Sequence, residues 1–213
     1  MSGDKLPVIS LILLVLLGII LIFWKFIFLR NPKRNIPQAE NIIVSPADGK
    51  VIAILEFKDK QVQLYKGDHR YLGLINTLTS DVSTDGYIIS IFMSPMDVHH
   101  NRTPINGEVI SVQHHDGKFL PVNSLEAGLV NEKSEIIIRG DTITLKMIQI
   151  AGFLARRVIT HVKTGERVER GQVIGLINLG SQVTLIVPSN IQINIKQGDR
   201  VVAGETILAK INS

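Results

Sequence analysis

Cysteine is absent from this 213-residue chain, and aromatic residues make up only 5% of it. Without cysteine the protein can form neither a disulfide framework nor a thiolate zinc site. The sequence also lacks a His-x-x-x-His pair and a cluster of carboxylates, so we expect no metal site. The small number of aromatic residues and the lack of an RNA-binding signature argue against nucleic acid as a partner, although the net charge is +4.

Charged residues are missing from one long stretch, Pro7 to Trp24, which is long and apolar enough to span a bilayer as a helix. It is too long for a signal peptide, and no small-x-small cleavage site follows it. By the positive-inside rule, the basic residues after it place the rest of the chain in the cytoplasm. We therefore predict a cell-membrane anchor over residues 1–30, single-pass or peripheral. The basic residues expected at anionic lipid headgroups are Lys25, Arg30, Lys33 and Arg34.

A linker with two prolines, residues 31–41, separates the anchor from a β-rich domain, residues 42–213. Short Val and Ile runs alternate there with turn signals such as Asp48-Gly49. The predicted strands are 51–56, 61–65, 87–92, 108–113, 134–139 and 142–150. Residues 151–157 are either a short helix or a continued strand, because periodicity does not separate the two. The predicted fold class is mainly β, a β-rich α+β protein with an N-terminal transmembrane helix.

An internal repeat near the C-terminus aligns Val162–Ile177 with Ile195–Lys210. In each unit the first glycine should form the turn, and the second should begin a strand where a Cβ would crowd neighbouring backbone. Two such β-turn-β arms resemble the barrel sandwich of lipoyl and biotinyl carrier domains. Those domains carry a modified lysine between the arms, whereas the join here contains none. The repeat therefore predicts a lipoyl-like barrel without the carrier function.

Three short motifs contain the residue types that acid–base and nucleophilic chemistry need. They are Ser45–Val51 with its Ala-Asp48-Gly, Phe92–Gly107 with its Asp-x-His99, and Leu179–Val183 with its Gly180-Ser181. Each motif alone is weak evidence. An Asp-Gly pair is usually a turn, and a lone loop histidine is usually a surface group. Their order and separations carry the information.

In that order the motifs resemble the phosphatidylserine decarboxylase family, and the match is closest to its short, membrane-associated prokaryotic branch, which includes archaetidylserine decarboxylases. The resemblance extends from Val44 to about Ala209. It includes Ile150–Val158, similar to a glycine-alanine segment of the family, and Asn131-Glu132-Lys133, similar to the family's Asn-Glu-Arg. Asn131 is on that basis a candidate contact of the substrate.

The resemblance implies a proenzyme that cuts itself between Gly180 and Ser181. The Ser181 hydroxyl would attack the Gly180 carbonyl, and the ester would then undergo β-elimination and lose ammonia. The products would be a β chain, 1–180, and an α chain, 181–213, that begins with a pyruvoyl group derived from Ser181. The two chains would stay together as a heterodimer. Several copies of that heterodimer could assemble into a higher homo-oligomer. Asp48, His99 and Ser181 would be the catalytic residues.

The resemblance also implies the mature reaction. The amine of an anionic serine phospholipid, phosphatidylserine or archaetidylserine, would form a Schiff base with the pyruvoyl ketone. That conjugated system would accept the electrons left behind as carbon dioxide departs. An acid, for which His99 is the candidate, would protonate the α-carbon, and hydrolysis would release the ethanolamine phospholipid.

Arg102 departs from the pattern of the longer family members, which carry a second histidine three residues after the first. Arginine stays protonated and cannot act as a general base. The base for self-cleavage is then His99 or, by a local shift, His100, and we favour His99. Arg102 could instead bind the substrate phosphate or carboxylate through its planar fork.

A second hypothesis is a membrane-anchored adaptor with a lipoyl-like barrel and no catalysis. The anchor and the repeat both suit it. Such adaptors usually insert a long coiled-coil hairpin between the arms, and this sequence has no heptad run. Intact mass separates the two hypotheses, because only a decarboxylase would yield two chains.

Overall fold

The computed structural model of the protein describes residues 5–59, 61–62, 79, 81–118, 130–152, 157–178 and 180–212. One α-helix, α1 (Lys5–Ile22), continues into a π-helical turn at Phe23–Phe28. The strands are β1 (Ile42–Val44), β2 (Gly49–Lys58), β3 (Gln61–Val62), β4 (Gly86–Met93), β5 (His100–Arg102), β6 (Gly107–His115), β7 (Lys133–Arg139), β8 (Thr144–Ile150), β9 (Val158–Thr160), β10 (Arg167–Val168), β11 (Val173–Ile177), β12 (Ser181–Pro188), β13 (Ile191–Ile193), β14 (Arg200–Val201) and β15 (Ile207–Ile211). The prediction of a mainly β protein with an apolar N-terminal helix is confirmed.

The N-terminal helix exposes apolar side chains on all its sides. The stretch Val8–Phe28 has a mean hydropathy of 2.9, and only 6% of its most apolar window is buried. A helix that is apolar all round needs an apolar environment, which a membrane supplies. By length and composition, this helix could cross a membrane.

Four of the six predicted strands lie within β2, β4, β6 and β7, and a fifth, 142–150, overlaps β8. The sixth, predicted for 61–65, coincides with β3 at its first two residues, and the remainder lies outside the described residues. Strand β8 begins at Thr144 rather than at Thr142, because a turn from Gly140 to Ile143 precedes it. Of the ambiguous stretch 151–157, residues 151, 152 and 157 belong to no helix or strand, and 153–156 lie outside the described residues.

The strands form one nine-stranded antiparallel sheet and two three-stranded sheets. The large sheet has the order β10-β6-β7-β8-β12-β4-β2-β14, with β3 paired to β2, and it curves as a half-barrel. The small sheets are β1-β15-β13 and β5-β11-β9. The predicted lipoyl-like barrel sandwich is not confirmed, because the two repeat arms split between this large sheet and the small ones.

The nine-stranded sheet contains two four-strand units with the same pairing, β14-β2-β4-β12 and β10-β6-β7-β8. Each unit has a bulge at the same place, after Val51 in β2 and after Val109 in β6. The units meet where β12 pairs with β8, and Leu185 lies opposite Met147 at that seam. These two residues hold equivalent places in the two units. The domain is therefore a duplication whose halves are related by a pseudo-two-fold axis.

A second sequence match accompanies the duplication. Ser45–Ile52, Ser-Pro-Ala-Asp-Gly-Lys-Val-Ile, matches Thr103–Ile110, Thr-Pro-Ile-Asn-Gly-Glu-Val-Ile. Each motif contacts one of the C-terminal repeat units, and the first carbonyl of each motif accepts a glycine N–H at 2.8 Å in one half and 2.9 Å in the other. Positions in these motifs of one half therefore have counterparts in the other. A residue type that both halves share at equivalent positions is one that the fold can require. A residue type that only one half has is not needed for the fold.

The repeat glycines confirm one prediction and correct another. Gly165 and Gly198 form turns with φ of +87° and +98°, as expected for the first glycine. The second glycine, Gly171 or Gly204, does not begin a strand but lies in a turn with φ of +81° or +78°. A Cβ there would come within 2.3 or 2.8 Å of Cδ1 of Ile36, a side chain and not backbone. These glycines make room for the linker.

Candidate active site

The bond between Gly180 and Ser181 lies where the chain passes from a small sheet to the large one. Strand β11 ends at Ile177, and β12 begins at Ser181 in the centre of the nine-stranded sheet. Gly180 has φ of +68°, a conformation that favours glycine. A Cβ at Gly180 would meet no described atom within 4 Å. The positive φ, rather than a lack of space, therefore favours glycine at position 180. Because glycine has no side chain, none shields the Gly180 carbonyl carbon.

The Ser181 side chain is fully buried on the inner face of β12, opposite Met93 of β4. Its Oγ donates to Met93 Sδ at 3.5 Å, and a thioether sulfur is only a weak acceptor. The counterpart of Ser181 in the other half is Ile143, since Gly140 and Ile143 hold the places of Met93 and Ser181. The fold accepts an apolar side chain at this position, so it does not require the buried Ser181 hydroxyl.

The His99 imidazole is fully buried, and one of its nitrogens has no partner among the described residues. Nδ1 lies 2.9 Å from the Asp97 carbonyl oxygen, which can only accept, so Nδ1 carries the proton. Nε2 then presents a lone pair. Burial lowers the pKa of His99 to about 4, because the charged form loses its solvation. At neutral pH His99 is therefore a neutral imidazole that can accept a proton at Nε2.

Asp97 holds the carbonyl that orients His99. Its Oδ2 accepts from the Ser94 N–H at 2.8 Å and the Ser94 hydroxyl at 2.7 Å, and its Oδ1 accepts from Arg200. Such second contacts fix a histidine's tautomer and ring direction. Phe28, the last residue of the π-helical turn, packs against the His99 ring at 4.3 Å between centroids. The end of the apolar helix therefore contacts the imidazole itself.

His100, the alternative base, lies in a different environment. Its ring is only partly buried, and burial lowers its pKa below the ordinary value. Its ring bonds the Leu29 backbone, and its Nδ1 is buried without a partner among the described residues. Both rings therefore have a nitrogen without a described partner, but only the His99 ring is fully buried and oriented by the Asp97 carbonyl. His99 stays the base that we predict.

Asp48 occupies a position that the fold fills with a carboxamide in the other half. Asp48 Oδ1 accepts the Ala203 N–H at 2.7 Å, and Asn106 Oδ1 accepts the Arg170 N–H at 2.8 Å. An amide oxygen is therefore enough for this turn. The negative charge of Asp48 is extra, and Arg34 Nη2 meets it at 2.9 Å from both carboxylate oxygens.

Arg34 belongs to the juxtamembrane segment, Arg30–Gln38, which runs across the site. We predicted that its basic residues contact lipid, but Arg34 is 8% exposed and pairs with Asp48. Arg30 likewise donates to the Ile27 and Met96 carbonyls. Arg30 and Arg34 therefore bond to groups of the protein rather than being left free for lipid headgroups.

Arg102 also holds the juxtamembrane segment. Its Nη1 donates to the Gly171 carbonyl at 2.7 Å, and its Nη2 donates to Asn31 Oδ1 at 2.6 Å and more weakly to the Pro32 carbonyl. Its role in substrate binding stays a prediction. Asn131 is buried and donates to the Ala151 carbonyl at 2.8 Å, so its contact with substrate also stays a prediction.

The three predicted catalytic residues share one region without direct hydrogen bonds between them in the described part of the chain. The Asp48 carboxylate is close enough for its charge to oppose the effect of burial on the His99 pKa. The His99 carbonyl accepts the Ile177 N–H at 3.3 Å, just ahead of the Gly180–Ser181 bond. Met93 Sδ contacts both Ser181 Oγ and, at 3.6 Å, Asn101 Nδ2 of the strand after His99.

The sequence reasoning missed Arg34, Asn101, Gln149 and Phe28. The match between Ser45–Ile52 and Thr103–Ile110 is visible in the sequence, but it contrasts Asp48 with Asn106 and contains none of these four residues. Nothing in the sequence pairs Arg34 with Asp48, because both lie in irregular segments. The Asn101–Gln149 contact joins two strands far apart in the chain.

A pH-dependent stability follows from the burial of His99. Between pH 6.5 and about 4 the unfolded chain binds a proton at this imidazole that the folded chain does not bind. The free energy of unfolding should therefore fall by roughly 2–3 kcal/mol as the pH drops from 7.5 to 4.5. Denaturant unfolding in detergent measures it. The His99→Asn variant, which copies the counterpart Asn41, should lose that part of the dependence, and an equal dependence in both proteins would contradict the burial argument.

Comparison with known proteins gives a family match over most of the chain. The family model described as phosphatidylserine decarboxylase matches residues 23–209. The chain is 39% identical over 189 residues to a putative archaetidylserine decarboxylase proenzyme of Methanocaldococcus jannaschii, covering 89% of this chain and 90% of the relative. It is 43% identical over 185 residues to the corresponding proenzyme of Methanothermobacter thermautotrophicus, covering 87% and 79%.

A bacterial relative has similar coverage. The phosphatidylserine decarboxylase proenzyme of Chlorobium limicola is 37% identical over 199 residues, which is 92% of this chain and 83% of the relative. The matches therefore include the apolar helix end, the duplicated domain and all three motifs.

Proposed function

This chain belongs to the phosphatidylserine decarboxylase family and is a carboxy-lyase of phospholipid synthesis, and from that premise we propose that it matures by cutting itself before Ser181. The proposed cofactor is a covalent pyruvoyl group made from Ser181. The proposed substrate is a serine phospholipid, and the product is the ethanolamine phospholipid with carbon dioxide. The observation that carries the proposal is the positive-φ Gly180 followed by a buried serine whose hydroxyl has only a thioether acceptor among the described residues.

The self-cleavage balances without an oxidant or a metal. Ser181 Oγ bonds to the Gly180 carbonyl carbon as the C–N bond breaks, and the nitrogen takes the hydroxyl proton, giving an ester and a free amine. Loss of the Ser181 α-proton and of the Gly180 carboxylate leaves a dehydroalanine. One water then replaces ammonia and leaves a ketone. His99 Nε2 is the proposed base, because it is neutral and unpartnered.

The surroundings of Ser181 suit a pyruvoyl group better than a free amine. The residue has no exposed surface, so an N-terminal ammonium created there would be a buried charge without an acidic partner among the described contacts. A neutral ketone removes that cost. When formed, the ketone supplies the sink for the electron pair that remains as the carboxylate leaves.

The position of the site suits a lipid substrate. The apolar helix ends at Phe28, directly against His99, so a membrane around the helix would bring headgroups close to the part of the protein that holds this buried imidazole. Lys25 and Lys33 flank this end of the helix and would face anionic lipid. We propose a membrane-associated enzyme with its domain in the cytoplasm. The two proposed chains would be its permanent subunits, within an assembly that could be larger.

The direct test of the reaction uses the full chain in lipid vesicles. Vesicles that contain phosphatidylserine or archaetidylserine labelled in the serine carboxyl should release labelled carbon dioxide and accumulate the ethanolamine lipid. The ratio of the two rates identifies the preferred backbone. Vesicles with the corresponding glycerol headgroup are the control. A chain that is cleaved yet releases no carbon dioxide from either serine lipid would contradict the proposed substrate class.

The two cleaved chains should not separate under native conditions. The α chain would contain β12, which pairs with β4 on one side and β8 on the other, and β15, which pairs with β1. Cutting before Ser181 leaves these ladders intact, so we expect one species in native size exclusion in detergent and two chains only after denaturation. Dissociation on native dilution would contradict the structure of the mature enzyme.

A further inference from the structure

The core around Ser181 is polar, in contrast to the corresponding core of the other half. Gln149 Nε2 donates to Asn101 Oδ1 at 2.8 Å, and Gln149 Oε1 accepts from the Thr160 hydroxyl at 3.0 Å. The Thr160 hydroxyl lies 2.8 Å from that of Ser134. Asn101 and Gln149 have no exposed surface. The four residues, of which Thr160 is only partly buried, form a continuous hydrogen-bonded network that ends beside Met93 and Ser181.

The counterparts of these residues are apolar or aromatic. Strand pairing relates Asn101 to Ile43, Gln149 to Val187, Thr160 to Ile193 and Ser134 to Tyr87. All four counterparts belong to the main hydrophobic core or pack against it. The same backbone therefore folds with apolar side chains at these places. Buried polar groups stabilise a fold less than well-packed apolar ones. The stability of the fold therefore does not explain the network, and we infer that it has a functional role.

The direction of the network fixes the carboxamide of Asn101. Its oxygen accepts from Gln149, so its NH₂ group points to Met93 Sδ, the atom that Ser181 Oγ also contacts. Within the part of the chain that the structure describes, that sulfur at 3.6 Å is the one acceptor of this NH₂ group. A thioether is easily displaced as an acceptor. The Asn101 NH₂ group is therefore a weakly bonded donor close to the Ser181 hydroxyl.

Gly175 shows that the backbone accommodates the network. A Cβ at this position would lie 2.5 Å from Gln149 Nε2 and 2.6 Å from the Ile159 carbonyl oxygen. Its counterpart, Ala209, carries a Cβ. The glycine therefore occurs in the half that contains the Gln149 side chain, whose amide occupies the space that a Cβ at position 175 would need.

We propose that Asn101 is a further catalytic residue of self-cleavage, donating its carboxamide N–H to the Gly180 carbonyl oxygen, and that Gln149 is its positioning residue. This inference rests on the proposed function. As Ser181 Oγ bonds to the carbonyl carbon, the electron pair of the C=O bond moves to that oxygen, where the donor stabilises it. When the C–N bond breaks, the pair returns and the ester carbonyl forms.

The test follows self-cleavage of the full-length precursor made by cell-free synthesis into vesicles. The first-order rate constant is read from the appearance of the small chain. Asn101→Asp keeps the shape but removes the donor, and Asn101→Leu copies the apolar counterpart. Both should slow cleavage by about 10²–10³-fold. Gln149→Met should slow it by a smaller factor. Ser90→Ala, which breaks a buried hydroxyl pair with Thr184 on the opposite face of the same strands, is the matched control.

Melting temperature and hydroxylamine separate catalysis from structure. Asn101→Leu should still melt cooperatively, because the counterpart Ile43 is apolar, although Gln149 Nε2 loses its described acceptor. Hydroxylamine cleaves esters, so it should not restore cleavage to a variant that is blocked before the ester forms. Rescue by hydroxylamine would overturn the proposed step, and so would the loss of a cooperative melt in both Asn101 variants. If Ser181→Ala stays uncut while both Asn101 variants mature at the parental rate, this inference fails alone. If Ser181→Ala is cut, the proposed function fails first.

Discussion

We expect the Ser181→Ala protein to remain a single full-length chain without decarboxylase activity. The change removes the hydroxyl oxygen that takes the acyl group in the proposed cleavage, and with it the source of the ketone. Rates of cleavage and of decarboxylation should both fall by at least about 10⁴-fold, below detection. The fold should be unchanged, because Ile143 already fills the equivalent place and the described partner of the hydroxyl is only a thioether. Denaturing gels and carbon dioxide release measure the two losses.

Two matched variants make this result specific. Thr184→Val removes a hydroxyl from the outer face of the same strand, where it pairs with Ser90 and accepts from Gln182 Nε2. Neither contact reaches the inner face that holds Ser181, so this variant should mature and turn over normally. Ser181→Cys retains a nucleophile and should form a thioester that hydroxylamine opens between positions 180 and 181. Cleavage at that bond in the Ser181→Ala chain would show that another group carries the chemistry.

Replacing Asp48 by asparagine should strongly slow maturation without abolishing folding. Asn106 makes the same turn contact in the other half, so the carboxamide introduced by Asp48→Asn can still accept the Ala203 N–H. What is lost is the negative charge, and cleavage should slow by about 10²–10⁴-fold, because in the proposed mechanism that charge assists proton transfer. The unpaired Arg34 should lower the free energy of unfolding by about 1–3 kcal/mol.

A double-mutant cycle with Arg34→Gln separates these two effects. The double variant no longer contains an unpaired charge, so most of the lost stability should return, while cleavage should stay slow. Asn106→Ala removes the counterpart contact and should reduce stability but leave maturation intact. If the double variant matures at the parental rate, Asp48 is only a structural partner of Arg34 and its proposed catalytic role is wrong.

The strands were predictable because most of them contain Val and Ile between turn dipeptides, and the apolar helix was predictable from its length alone. The half-barrel was not, because alternation predicts which face of a strand is buried and not which strand pairs with it. Thus the repeat after Val162 is visible in the sequence, and so are the motifs that contain Ser45 and Thr103, but nothing in the sequence shows that these motifs contact the repeat. Their pairing with the repeat required the structure.

Part of the site was predictable for a similar reason. Asp48, His99 and Ser181 lie in short motifs whose order carries information, so the sequence alone predicts them. Arg34 was expected at lipid because basic residues after an apolar helix usually lie there, but the Asp48 carboxylate competes for it. Asn101 and Gln149 gave no signal, because a polar residue in a strand is ordinarily assigned to the exposed face.

The mass of the small chain in the purified full-length protein tests the central claim most directly. We predict a fragment of residues 181–213 that is lighter than the encoded segment by one ammonia, resists Edman degradation and gains two hydrogen atoms on borohydride reduction. An intact 213-residue chain that decarboxylates serine phospholipid, or a fragment that begins with an unmodified serine, would contradict the account.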